Sequence, residues 1–230
     1  LSTRKHLDAI REAVKKKVKV RVVLNHAHID VNNRRAATAL IEAGAKVYTV
    51  SGTMHSKFAV IDGNRVINGS GNWSIGAFHR YHENWIVFPP DAKLAAPFKK
   101  NMETLVAEKR ELVNDKKTGV ARLKSKKAKK DSKKRNKTSA GVPFTSDNNG
   151  KKTTIVEDVL VKHMKGAKKE IQIAVAHFNT QRLADAVIAA KKRGLKVRVL
   201  VDLGEYRNRV SKAAALEKAK VDVRYHAYSV

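Results

Sequence analysis

Two stretches of this chain repeat one another, and the repetition limits the folds open to it. Residues 7–30, LDAIREAVKKKVKVRVVLNHAHID, align with residues 183–206, LADAVIAAKKRGLKVRVLVDLGEY. Each reads as an amphipathic helix, a basic corner and a strand of alternating valines. Both continue in step, since RRAATALIEAGAKVYTV at 34–50 answers SKAAALEKAKVDVRYHAY at 211–228, a further helix leading into a further strand. Repeated βα units predict an α/β fold, a parallel or mixed β-sheet flanked by helices. The expected organisation is a first repeat at 1–108, a basic mobile linker at 109–152, and the N-terminal half of a second repeat at 153–230.

The linker follows from charge. The chain has 49 Lys and Arg against 21 Asp and Glu, a net charge of +28. Sixteen of those basic residues and only four acidic ones fall in 109–152, with few apolar residues and no usable period. Such a run cannot repay its ordering entropy, so Lys116–Gly141 is expected to be the least ordered part. A surface this basic is drawn to polyanions, either nucleic acid or anionic phospholipid. At 42% hydrophobic content a core is affordable, and no apolar run approaches the roughly 18 to 20 residues of a transmembrane segment. With no cysteine, disulfides and cysteine-based zinc or nucleophile chemistry are excluded, while the compartment stays open. No targeting segment is visible, and a chain starting at Leu1 is expected not to start at its native N-terminus.

Chemistry enters at TMHSKFAVIDGNRVINGSGNWS, residues 53–74. SKFAVID has the composition of a short buried strand, Asp62-Gly63-Asn64 is a turn signal, and VINGS returns as a second strand. Residues two apart on a strand share a face, so His55 and Lys57 project into one site, and the hairpin brings Ser70 and Asn72 back towards them. The set combines an imidazole able to act as nucleophile or general acid, a fixed cation, and neutral donors for phosphate oxygens. No carboxylate cluster for Mg²⁺ accompanies it, and no cofactor is implied. Developing charge then falls to Lys57, its partner donors and the imidazolium.

His55, Lys57, Asp62, Gly69, Ser70 and Asn72 spell H-x-K-x4-D-x6-G-S-x-N, which closely resembles the signature of the phospholipase D superfamily. The resemblance implies that His55 attacks phosphorus to give a phosphohistidine without metal, that Lys57 and Asn72 hold the phosphate, and that Ser70 is a further phosphate-side donor. It gives Asp62 a supporting role, which stands beside the plain reading of Asp62 as a turn former. Downstream, HENWIVF is similar to the family's strand whose acidic residue orients the histidine ring, and Glu83 is that residue here. Read without the motif, Trp73 and Trp85 are core residues and His79 and His82 surface residues.

Members of the family join two His-Lys motifs across a pseudo-twofold axis, one histidine as nucleophile and one as leaving-group acid. This sequence carries one such motif. Its second repeat opens with a helix and the strand IQIAVAHF, which have no counterpart before LSTRKHLDAI, and its last residues stop short of a second motif. Both repeats therefore read as incomplete. The second motif is expected from a continued chain or from a homodimer partner, unless the chain is a degenerate member kept for binding. The reading is a metal-independent phosphodiesterase, with the charge tilting substrate towards nucleic acid over phospholipid. Its rival is a non-catalytic basic nucleic-acid-binding or ribonucleoprotein component on the same scaffold.

Overall fold

The computed structural model describes residues 4–25, 31–50, 54–107, 110–124 and 154–226. The chain divides into two compact units, Leu1–Val142 and Pro143–Val230.

The first unit starts with the repeat. Helix α1 (Arg4–Lys15) leads to β1 (Arg21–Asn25), and α2 (Val31–Glu42) leads to β2 (Lys46–Val50). The two strands pair in parallel, with Arg21 opposite Lys46 and Asn25 opposite Val50. A second block follows: β3 (Phe58–Ile61), β4 (Arg65–Gly69), α3 (Ile75–His79), β5 (Trp85–Val87) and α4 (Ala92–Val106). Here β3-β4-β5 form an antiparallel sheet of three strands. Asp91 starts α4 as its N-cap, its carboxylate accepting from the amides of Lys93 and Leu94 at 2.7 and 3.1 Å. The helix covers the hairpin through Phe98, whose ring meets Phe58 edge-on at 5.3 Å. It is tied to β1 by a two-pronged ion pair between Arg21 and Glu103, at 2.6 and 3.0 Å.

Part of the expected linker is folded. Strands β6 (Glu111–Asn114) and β7 (Ala121–Leu123) make a hairpin that extends the first sheet to the order β1-β2-β6-β7. Net charge hid this because the docking rests on a few side chains in a lysine-rich run. Leu112 and Ala121 are buried against Ala37, Leu40 and Val47, and the Thr38 hydroxyl accepts from the Ala121 amide at 2.9 Å. From residue 125 onward the stretch expected to be mobile lies outside the described residues.

In the second unit α5 (Ile155–Gly166) precedes β8 (Glu170–Val175), α6 (Gln181–Lys192), β9 (Lys196–Asp202), α7 (Leu203–Tyr206), α8 (Ala213–Lys218) and β10 (Asp222–His226). The three strands form a parallel sheet in the order β10-β9-β8. Val197, Val199 and Val201 alternate inward along β9 against Val187 and Ala190 of α6 and Leu216 of α8. Lys196, Arg198 and Leu200 point the other way and are exposed. The parallel pair β9–β10 answers β1–β2 in element order, so the repetition seen in sequence is a repetition of structure.

Candidate active site

The β3–β4 hairpin builds the site. Asp62 and Gly63 adopt left-handed φ angles of 51° and 72°, which close the turn and set Phe58 opposite Asn68. Pairing runs one step beyond the strands, where the Gly69 amide donates to the Lys57 carbonyl at 3.2 Å. That register returns the Gly-Ser-Gly-Asn segment to the level of His55 and Lys57.

His55 and Lys57 are in contact. The Lys57 ammonium lies 2.8 Å from Nδ1 of the exposed His55 ring and donates to the His55 carbonyl at 2.6 Å. Lys57 itself is only 9% exposed. Burial lowers its pKa below the ordinary lysine value, and the negative charge of Glu83 pulls partly back. A cation buried at one edge of an imidazole has the chemistry to bind an anionic oxygen.

Glu83 enters through Ser70. The Ser70 hydroxyl donates to Glu83 Oε2 at 2.5 Å and accepts from the Asn84 amide at 3.1 Å. The Ser70 amide donates to the Asn84 carbonyl at 3.1 Å, so the motif is stitched to the segment leading into β5. Ser70 has one hydrogen, and it is committed to Glu83. As arranged, Ser70 links Glu83 to the hairpin instead of donating to a phosphate, and Glu83 meets Ser70 instead of the His55 ring.

The other motif residues are placed as follows. Asn72 is exposed, and its carbonyl accepts from the Ser74 amide at 2.8 Å, where Ser74 caps α3. Asp62 is exposed in the turn, at the far end of β3 from His55. Gly69 is where two backbones nearly touch, because a Cβ there would lie 2.1 Å from the Asn84 carbonyl oxygen. His79 and His82 are exposed.

Sequence reasoning missed an aromatic cluster beside the site. Phe78 of α3 stacks on Trp85 at 5.0 Å and 7°, Trp73 meets Trp85 edge-on at 6.0 Å, and His6 of α1 lies 4.6 Å from Phe78. The spacing of Trp73, Phe78 and Trp85 gave no period to read, since a five-residue helix and a three-residue strand are too short to show one. Another bare His-x-Lys pair, His163 and Lys165, falls in the last turn of α5. Two apart on a helix, those side chains point to opposite sides, so the pair builds no site. Among the described residues no group of three or more His, Cys, Asp or Glu is arranged to hold a metal ion, and no helix is long and apolar enough to cross a membrane.

The buried lysine carries a pH signature. Its folded pKa lies below the ordinary 10.5, so between those two values the unfolded chain binds more protons and stability rises with pH. Below that window the charged lysine is a constant cost. Lys57→Met is therefore expected to melt a few degrees above the wild type at neutral pH. The difference should shrink as pH approaches 10.5, and melting curves at pH 7 and pH 10.5 measure it. A lower melting temperature at pH 7 would contradict it.

A hairpin holding a His-Lys contact beside a Gly-Ser-Gly-Asn segment, on a βα-repeat scaffold, defines a class of protein. The family model described as cardiolipin synthase, PLD-like domain, matches residues 1–106 and 160–229, and the chain belongs to this phospholipase D superfamily. It is 43% identical over 58 residues to the mitochondrial cardiolipin hydrolase of Xenopus laevis, covering 25% of this chain and 27% of that protein. It is 34% identical over 87 residues to the one of Danio rerio, covering 36% and 37%. The one of Chlamydomonas reinhardtii is 33% identical over 103 residues, covering 43% and 44%. The chain spans less than half the length of each of these relatives. Among solved structures, polyphosphate kinase from Porphyromonas gingivalis aligns with a TM-score of 0.54 and 10% identity, over 95% of this chain and 33% of that one, a likeness of fold alone. Nuc from Salmonella typhimurium, a phospholipase D family member, aligns with a TM-score of 0.44 and 23% identity over 46% of this chain and 71% of its own.

Proposed function

We propose that this chain carries the nucleophilic half of a metal-independent phosphodiesterase acting through a phosphohistidine on His55. The observation that carries the reading is the 2.8 Å contact between the buried Lys57 ammonium and Nδ1 of the exposed His55 ring. While Lys57 donates to Nδ1, a neutral ring keeps its proton on Nε2 and is not a nucleophile. A phosphate oxygen that draws Lys57 away frees Nδ1 to hold the proton and leaves the Nε2 lone pair facing phosphorus. Substrate then arms the nucleophile.

The Nε2 lone pair forms a bond to phosphorus, and the bond from phosphorus to the leaving oxygen breaks. The departing alkoxide takes a proton from a second imidazole. Water then gives a proton to that imidazole, its oxygen bonds phosphorus, and the phosphorus–nitrogen bond breaks to restore His55. Lys57 and Asn72 hold the phosphoryl oxygens, and Glu83 acts through Ser70 to fix the loop that bears Asn72. The second imidazole comes from another His-Lys motif, in a continued chain or in a partner copy. The substrate this supports is a polyanionic phosphodiester of the kind a +28 surface concentrates.

A labelled diester tests the mechanism. Turnover is expected to persist in EDTA, and a rapid quench is expected to leave phosphate on the protein in a bond stable to base and labile to acid. Activity that EDTA abolishes, or label bound in an acid-stable ester, would count against it.

A further inference from the structure

The second unit gathers positive charge at one end. Its three strands are parallel, so the three corners that lead from helix into strand, at 165–170, 191–196 and 217–222, all reach the amino edge of the sheet. With strands about 4.8 Å apart, those corners fall along an edge roughly 10 Å wide. Across it the Lys196 amide donates to the Lys169 carbonyl at 3.2 Å. The corners hold nine Lys and Arg against three carboxylates. Each carboxylate has a partner outside the nine: Glu170 accepts from Gln172, Glu217 from the Tyr206 hydroxyl, and Asp222 from Arg198 and Arg224. Among the described residues none of the nine makes an ion pair, and all but Lys191 are exposed.

Folding accounts for part of this charge. Lys165, Lys191, Lys192 and Lys218 lie in the last turns of α5, α6 and α8, where the helix dipole favours a cation. Arg193 ties α6 to α5 by donating to the Met164 carbonyl at 3.0 Å. Lys168, Lys169, Lys196 and Lys220 lie beyond the helices and answer no such need. The matching corner of the first unit is also basic, but there Lys15 bonds Glu12 and Arg21 bonds Glu103. Between the lysines of the second unit stand only Gly166, Ala167, Gly194 and Ala219, with Leu195 and Val221 buried. Such an edge has no apolar group to enter a bilayer and no aromatic face on which an unpaired base could stack. Lysine point charges on a compact edge match the phosphates of a duplex without reading its sequence. We infer that the amino edge of this sheet binds the phosphate backbone of double-stranded nucleic acid. This binding gives His55 no substrate and does not depend on the phosphodiesterase reading.

Fluorescence anisotropy of a labelled DNA duplex of about 20 base pairs, titrated with the full chain at about 50 to 200 mM salt, tests the surface. His55→Asn serves as the parent so that no duplex is consumed. K168Q/K169Q/K196Q/K220Q removes four exposed charges. It is expected to lower affinity about tenfold or more and to flatten the slope of log affinity against log salt by about 2 to 4. K168Q/K169Q, confined to one corner, should flatten it by about 1 to 2. The control K5Q/K16Q/K17Q/K19Q removes the same charge from α1 and its corner in the first unit, and should change affinity less than about threefold. All variants keep the basic segment 125–153, so its contribution cancels in the comparison. Equal losses in the two fourfold variants would mean that net charge, and not this edge, sets binding, and would overturn the inference. Duplex affinity unchanged by the four substitutions at the edge would overturn it too. The same holds if those substitutions release anionic vesicles or a single-stranded oligonucleotide while duplex binding persists, since the edge would then serve a bilayer or an unpaired strand.

Discussion

His55→Asn is expected to abolish phosphodiester hydrolysis while leaving the fold intact. Loss of the nucleophile removes the covalent route altogether, so the rate should fall by at least about 10³-fold. Stability should move by no more than about 0.5 kcal/mol, because the His55 side chain is exposed and its hydrogen-bond contact among the described residues is with the Lys57 ammonium. The His55 carbonyl, which also receives Lys57, is backbone and survives the substitution. Activity and melting temperature measured on the same preparation separate the two effects. A variant that keeps a tenth of the wild-type rate would remove His55 as nucleophile, and with it the phosphohistidine. A non-catalytic binding component would show no turnover in the wild type and polyanion binding indifferent to the substitution.

The repetition of helix and strand gave the α/β class in advance, because periods of 3.6 and 2 survive in sequence wherever an element is long and buried on one side. The β3–β4 hairpin was legible for a different reason: Asp62-Gly63 is a turn signal that few other backbone conformations use. Once that turn is fixed, the meeting of His55 and Lys57 with the Gly-Ser-Gly-Asn segment follows from register. Short elements left no such trace. The β6–β7 hairpin is three residue pairs inside a lysine-rich run, and its placement rests on Leu112, Ala121, Leu123 and a bond from the Ala121 amide to Thr38 eighty-three residues earlier. The bonds of Ser70 and Glu83 were illegible for the same reason. Strand β5 has three residues, and which side chain Glu83 reaches depends on how closely two backbones approach.

Gly69→Ala is expected to damage both fold and activity, although it adds one methyl group. The φ angle at Gly69 is not in the left-handed region, so the constraint is space and not conformation. A Cβ at this position would stand 2.1 Å from the Asn84 carbonyl oxygen and 3.2 Å from the Trp85 Cα, both of them backbone atoms. No rotamer relieves that contact; β4 and β5 must separate. Separation strains the pairing of Gly69 with Trp85, the Ser70–Asn84 bonds and the reach of Glu83 to Ser70 together. Overpacking of this kind costs about 1 to 3 kcal/mol, and a displacement near 1 Å at a reacting centre costs about 100-fold in rate. Gly69→Ala should therefore lower the melting temperature clearly and reduce turnover by about two orders of magnitude. Gly166→Ala is the control: it ends α5, its Cβ would meet nothing within 4 Å, and it should leave activity unchanged with stability equal or slightly higher. A Gly69→Ala protein with wild-type melting and wild-type rate would mean that β5 does not lie against the motif at this distance. The Ser70–Glu83 link, which depends on that approach, would fall with it.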